Sequence, residues 1–106
     1  MTDKDAYWGI VEAFLEQANN DLSDHDLGAV SDALMEAAAR FSAFYAASSS
    51  ETRKDLKQDK DDTIHDFGGE FKRKLSENLD DYIENYKVYM RDENSESDND
   101  NSEHSP

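Results

Sequence analysis

The chain has 106 residues, the size of one small domain, and its 11 basic and 26 acidic side chains give a formal net charge of −15. This charge excludes a nucleic-acid binder that neutralises phosphates, and it opposes docking on anionic membrane lipid. Because the sequence has no cysteine, it excludes disulfides, thiolate metal sites and cysteine nucleophiles.

The first predicted helix lies near the N-terminus. Asp3 or Asp5 can cap its start, where acidic groups also favour the helix dipole. Its apolar residues recur at steps of three and four, as on one helix face: Tyr7, Trp8, Val11, Phe14, Leu15, Ala18 and Leu22. A polar turn follows, and Ser23 with Asp26, or Asp24 alone, can cap the next helix.

The second predicted helix spans about residues 26–47 and ends at a run of three serines. Its apolar face comprises Leu27, Val30, Leu34, Ala37 or Ala38, Phe41, Phe44 and Tyr45. Since alanine side chains are small, this face is shallow and lets a neighbouring helix approach closely.

The third predicted helix is the longest, at about residues 59–90. Its apolar positions are Ile64, Phe67, Phe71, Leu75, Leu79, Tyr82 or Ile83, Tyr86, and Tyr89 or Met90. The charged residues 51–60 either extend it or form a loop. Gly68 and Gly69 cost about 1 kcal/mol each relative to alanine, but burial of the flanking phenylalanines outweighs this, so we expect the helix to continue, straight or kinked. The alternative is a break there and a compact four-helix monomer.

These patterns predict an all-α domain over residues 4–90, a three-helix bundle or antiparallel helical hairpin with a long third helix. No alternation typical of a strand is present. Residues 91–106 are predicted to form a disordered acidic tail, because no apolar residue follows Asp92. With neither a secretory signal nor a membrane-length apolar run, we expect a cytoplasmic protein.

Three segments carry a resemblance to a known family. They are Trp8 with Phe14-Leu15 and Ala18-Asn19, the stretch AAARFSAF at 37–44, and the stretch ENLDDYIENY at 77–86. Together they resemble a family of small acidic bacterial proteins catalogued only as a domain of unknown function. The resemblance covers about residues 6–90 and implies an all-helical bacterial domain. It implies no activity, cofactor or functional residue.

Candidate chemistry is sparse. Residues 59–70 have the outline of a calcium-binding loop, but Ile64 occupies the position that requires glycine. Asp61 and Asp62 precede His65 by helical spacings, yet a carboxylate-bridged metal site would need a second such motif. No nucleophile elbow or phosphate loop is present. We therefore expect no catalytic residue, metal or cofactor.

Arg40 lies at the border of the second helix's apolar face. A basic residue at such a border commonly lays its stem along the core and pairs with a carboxylate across the groove. We expect a structural ion pair with Glu77, Asp80 or Asp81.

A candidate interface lies at the end of the third helix. This helix would be about 48 Å long and the second about 33 Å, so its C-terminal part would extend past its neighbours. The overhanging residues are Leu79, Tyr82, Ile83, Tyr86, Tyr89 and Met90. Tyrosines at such spacing along a helix can belong to the core, to a ligand-binding surface or to a protein interface. Here we expect a two-fold interface between two copies of the chain.

These observations predict a non-catalytic interaction module whose partner is a second copy, as a homodimer, or another protein. One alternative is a helical enzyme that depends on a metal or small molecule and uses Asp61, Asp62 and His65. Another is an acidic DNA mimic for a basic partner, although interspersed lysines dilute its acidic array.

Overall fold

The computed structural model describes residues 3–90 and shows the predicted all-α class. These residues form five helices: α1 (Lys4–Asp21), α2 (Leu27–Ser49), α3 (Arg53–Gln58), α4 (Lys60–Glu84) and α5 (Tyr86–Met90). No strand occurs among them. The predicted acidic tail, residues 91–106, lies outside the described residues.

Short acidic side chains begin the first two helices. The Asp3 carboxylate accepts a hydrogen bond of 2.8 Å from the amide three residues on, as predicted for α1. Asp26 does the same for α2, at 3.2 Å. The prediction of a cap at Ser23 or Asp24 is wrong, because the preceding turn continues through both and the Ser23 hydroxyl donates to the Asn20 carbonyl oxygen.

The charged segment before the third predicted helix forms a separate short helix. Thr52 caps α3 by accepting a hydrogen bond of 3.1 Å from the Asp55 amide. Asp59 separates α3 from α4 with φ −90° and ψ 2°, and its side chain caps neither helix. The segment is thus neither a loop nor a continuous extension of the long helix.

The paired glycines do not interrupt α4. Gly68 and Gly69 lie inside its 25 residues, and neither has the positive φ that would require glycine. The expectation of a continuous helix is therefore confirmed, and the break that would give a four-helix monomer does not occur.

The long helix ends earlier than predicted. Asn85 follows Glu84 with φ −113° and ψ 34°, and its side-chain amide donates to the Asp81 carboxylate at 2.8 Å. Because this side chain competes for local hydrogen bonds, the helix stops there and α5 begins at Tyr86. The prediction of one helix continuing to Met90 is wrong.

The described residues fall into two compact units, residues 3–45 and residues 46–90. The first contains α1 and most of α2, and the second contains the end of α2 together with α3, α4 and α5. In neither unit is a described residue buried; the least exposed residues are half-buried, such as Val11, Leu15 and Leu56. Neither unit by itself encloses a hydrophobic core within the described residues.

Replacing Gly69 with alanine is expected to raise the free energy of unfolding by about 1 kcal/mol, because alanine restricts the unfolded chain and favours the helix. A Cβ at Gly69 would meet nothing within 4 Å. Thermal unfolding followed by circular dichroism measures the change.

The matched control is Gly28→Ala, where a new Cβ would lie 3.3 Å from the capping carboxylate of Asp26. Its gain should be smaller, because the cap must shift. A loss of stability in Gly69→Ala would contradict a regular helix at this position.

Candidate protein-interaction surfaces

Large apolar and aromatic side chains are exposed along every long helix. Nineteen of them, among residues 3–90, have between 37% and 76% of their surface exposed. Scattered exposed apolar residues are normal on a protein, but contiguous patches of several hundred Å² mark interaction surfaces. Two apolar faces are well defined, a groove in the first unit and one side of α4.

The groove lies between α1 and α2 and has a volume of about 490 Å³. Its apolar lining is Phe14, Ala18, Ala29, Val30, Ala33, Leu34 and Ala37. Gln17, Asp21 and His25 are the polar residues that line it. Three of the α2 residues in the lining are alanines one turn apart, Ala29, Ala33 and Ala37. Because their side chains are small, the α2 side of the groove is shallow and admits bulky side chains.

The second surface, here called the α4 face, is the apolar side of α4. It consists of Ile64, Phe67, Phe71, Leu75 and Leu79, all exposed. By helical geometry, Lys72 and Lys74 lie on either side of this apolar line. The α4 face is thus a hydrophobic stripe with basic flanks at its centre.

A network of ion pairs covers another part of α4. Arg73 bonds to Glu70 and, at 2.9 Å, to Glu77, and Lys74 lies 3.4 Å from Glu70. Hydrogen bonds from Arg73 and Lys74 lower the pKa of the Glu70 carboxyl, and the bond to Glu70 raises the pKa of Arg73. These groups are exposed, so the network supports the helix locally and adds little to global stability.

Arg40 forms an ion pair within its own helix. Its Nε lies 2.8 Å from the Glu36 carboxylate one turn earlier, and both side chains are exposed. Sequence reasoning had placed its partner among the acids at 77–81, but Glu77 instead binds Arg73. The local pair at i,i+4 needs no long-range packing, which explains why it forms in the single chain.

The Asp81 carboxylate links the end of α4 to α5. One oxygen accepts the bond from Asn85, and the other accepts a bond of 2.8 Å from the Tyr89 hydroxyl. The ring of Tyr89 also packs on Tyr82, with centroids 4.5 Å apart. The Asp81 hydrogen bond and negative charge raise the pKa of Tyr89 above its ordinary value of 10.0, because ionisation would lose the bond and create repulsion.

The six residues predicted as an interface accordingly divide into two groups. Tyr82 and Met90 are half-buried, and Tyr89 contacts Tyr82 and Asp81 within the chain. Leu79, Ile83 and Tyr86 are exposed, and Tyr89 is exposed as well despite its contacts. A role of these residues in association stays a prediction.

No group of three or more histidine, aspartate or glutamate side chains within residues 3–90 is arranged to hold a metal ion. Asp61, Asp62 and His65 all lie on α4 and belong to no such group. Within the same residues, no helix combines the length and apolar character needed to span a membrane.

The fold and surfaces define an all-helical domain whose main features are apolar helix faces. The chain belongs to a family described as a protein of unknown function (DUF3144), whose model matches residues 7–83. This confirms the resemblance stated from the sequence segments. No curated protein and no solved structure matches the chain.

Sequence reasoning did not identify the groove or the link from Asp81 to Tyr89. The spacing of Phe14, Ala18, Val30 and Leu34 was visible, but joining the two helices into one groove requires the geometry of the turn at 22–26. The Asp81–Tyr89 bond spans eight residues and depends on the break at Asn85, which helical periodicity does not reveal.

The raised pKa of Tyr89 predicts a loss of stability in alkali. Because the folded state holds this proton more tightly than the unfolded chain, the stabilisation is present below about pH 10 and is lost as the pH rises through the raised pKa. In a spectrophotometric titration, one of the five tyrosines should therefore ionise late, and Tyr89→Phe should remove that step.

Asp81→Asn should shift the same step to lower pH, because it removes the negative acceptor. Asp80→Asn is the matched control, since it makes the same charge change on the neighbouring residue. If Tyr89→Phe instead left the late step in place, the bond to Asp81 would not control this ionisation.

Proposed function

We propose that this chain is a non-catalytic protein-interaction module that self-associates through its apolar helix faces. One observation carries the proposal: no residue among 3–90 is buried, while nineteen large apolar or aromatic side chains are exposed. Full burial of one Phe, Leu or Ile side chain stabilises the buried state by about 1.5–3 kcal/mol. Association that buries several of these exposed side chains is therefore strongly favourable.

Helix length supports the same proposal. Isolated helices shorter than about 12–15 residues are marginal in water, and α3 and α5 have only 6 and 5 residues. Longer helices of globular proteins also take most of their stability from packing of an apolar face. Partners that cover the α4 face and the α1–α2 groove would provide this packing.

The proposal assigns the module to the cytoplasm, and the lack of cysteine is compatible with that reducing compartment. Nothing in the described geometry favours the DNA-mimic alternative, because α4 places three consecutive basic residues, 72–74, at its centre. Such a cluster interrupts the continuous acidic array that a basic DNA-binding partner would recognise.

Sedimentation equilibrium tests the proposal. The native chain is expected to have twice its mass of 12.1 kDa at high concentration and to dissociate on dilution. A mass that stays at one chain at every concentration would contradict self-association.

Tyr86→Glu tests the contribution of the C-terminal residues. Tyr86 is exposed and belongs to the predicted interface, so placing a charge there is expected to weaken the dimer about tenfold or more. Lys87→Glu is the neighbouring control, because it adds negative charge without removing an apolar side chain. An unchanged dissociation constant for Tyr86→Glu would exclude the C-terminal residues from the interface and leave the α4 face and the groove as the surfaces of association.

A further inference from the structure

We propose that the α4 face of one copy docks in the α1–α2 groove of a second copy, while the α4 face of the second copy docks in the groove of the first. The result is a two-fold dimer with two such sites. This inference rests on the proposed function and names its partner and surfaces. It is the helix-in-groove mode of recognition, in which bulky side chains on one face of a helix enter an apolar groove.

Steric fit supports the pairing. The α4 face presents large side chains one turn apart, among them Phe67 and Phe71, whereas α2 contributes Ala29, Ala33 and Ala37 to the groove. Large side chains opposite small ones allow close approach of two helices, as interdigitated packing requires. Two grooves facing each other, or two α4 faces, would instead oppose like with like.

Charge favours the same pairing. Residues 3–45 contain nine acidic and two basic side chains, whereas residues 46–90 contain eleven acidic and eight basic ones. Two α1–α2 grooves facing each other would bring together two units that each have a large excess of acidic side chains. An antiparallel pair of α4 faces centred on their midpoint would bring Lys72 and Lys74 of the two copies close together.

The flanking lysines complete the match. Lys72 takes part in none of the ion pairs found within residues 3–90, while Lys74 pairs weakly with Glu70 at 3.4 Å. Asp21 is part of the groove lining, and its carboxylate accepts only long bonds of 3.3 and 3.4 Å from the Gln17 side-chain amide, so it can also accept from such a lysine. Docking α4 in the groove thus places basic flanks against an acidic unit.

The exposed apolar area supports the pairing. The exposed parts of the five side chains on the α4 face amount to roughly 500 Å². Each copy would bury this face together with its groove lining, which approaches the roughly 800 Å² per partner of a standard interface. A second copy also suffices as the only partner, because each chain carries both halves of the site and a two-fold axis closes the assembly.

Disulfide trapping tests the pairing. Because the chain has no native cysteine, only the introduced cysteines can form disulfides. One variant carries Ala33→Cys on the groove, with Ala37→Cys one turn along as a second choice. The other carries Gly68→Cys, which lies on the apolar side of α4 between Phe67 and Phe71, and a Cβ there meets nothing within 4 Å. With one cysteine per chain, every disulfide joins two copies, and its Cβ atoms must approach to about 4 Å.

The controls are matched substitutions on the opposite side of each helix, Ala39→Cys on α2 and Gly69→Cys on α4. The variants are mixed in a glutathione redox buffer, and the covalent dimers are separated by mass. A mixture of Gly68→Cys with Ala33→Cys or Ala37→Cys is expected to give heterodimers at least about tenfold above the control mixture, because docking raises the effective concentration.

Three results would overturn the pairing. Preferential homodimers of Gly68→Cys indicate paired α4 faces, and preferential homodimers of Ala33→Cys or Ala37→Cys indicate paired grooves. An internal disulfide in the Ala33→Cys/Gly68→Cys double variant, without heterodimers from the mixed single variants, indicates that each chain fills its own groove.

The mass of the native chain separates this inference from the proposed function. If the native chain is dimeric but heterodimers form no faster than in the control mixture, the pairing is wrong and self-association stands. If the native chain stays monomeric at every concentration, both self-association and the pairing are wrong.

Discussion

Burial of apolar helix faces is the interaction on which this structure depends. A residue fixed in a helix loses about 1–2 kcal/mol of backbone conformational entropy, and local interactions recover only part of it. Caps such as those of Asp3, Asp26 and Thr52 contribute about 1 kcal/mol each, and exposed pairs such as Arg40–Glu36 contribute a few tenths. These local contacts determine where the helices begin; the remaining stabilisation must come from packing of the apolar faces.

Net charge limits which faces can pack. Two chains of charge −15 repel each other, so association requires contacts that bring unlike charges together or large apolar areas. The uneven distribution of basic residues offers such a contact, because eight of the eleven lie in residues 46–90. The same distribution makes pairing of two acidic α1–α2 surfaces unfavourable. Charge therefore selects among the apolar faces, while the hydrophobic effect supplies the free energy.

The sequence pattern predicted the helical class, an α1 cap at Asp3 or Asp5, of which Asp3 forms it, and the continuity of α4 through Gly68 and Gly69. These features depend on local propensity and on the spacing of apolar residues, both of which are readable from one chain. The end of α4 was not predictable in this way, because Tyr86 and Tyr89 continue the helical spacing past Asn85. Side-chain hydrogen bonds to Asp81 decide that boundary.

The candidate surfaces show the same limit. Most of the large apolar positions of α1, α2 and α4 were identified from spacing, whereas Ala29 and Ala33 of the groove were not. Which positions form a groove depends on the turn between α1 and α2. Arg40 was expected to bind an acid far along the chain, since its position borders an apolar face. In the structure the acid one turn away, Glu36, is closer and sufficient. Pairings between distant elements require packing geometry, which residue type alone does not supply.

The position of the family match separates the two kinds of surface. Residues 7–83 contain the whole of the groove lining and the whole of the α4 face, whereas Asn85, Tyr86 and Tyr89 follow the match. Asp81, inside the matched range, ends α4 through Asn85 and holds α5 through Tyr89. Both surfaces of the proposed pairing therefore lie within the matched segment, while the α5 contact depends on residues beyond it. Removal of the residues that follow the match would accordingly leave the groove lining and the α4 face of this chain in place, and with them the apolar area that the pairing uses.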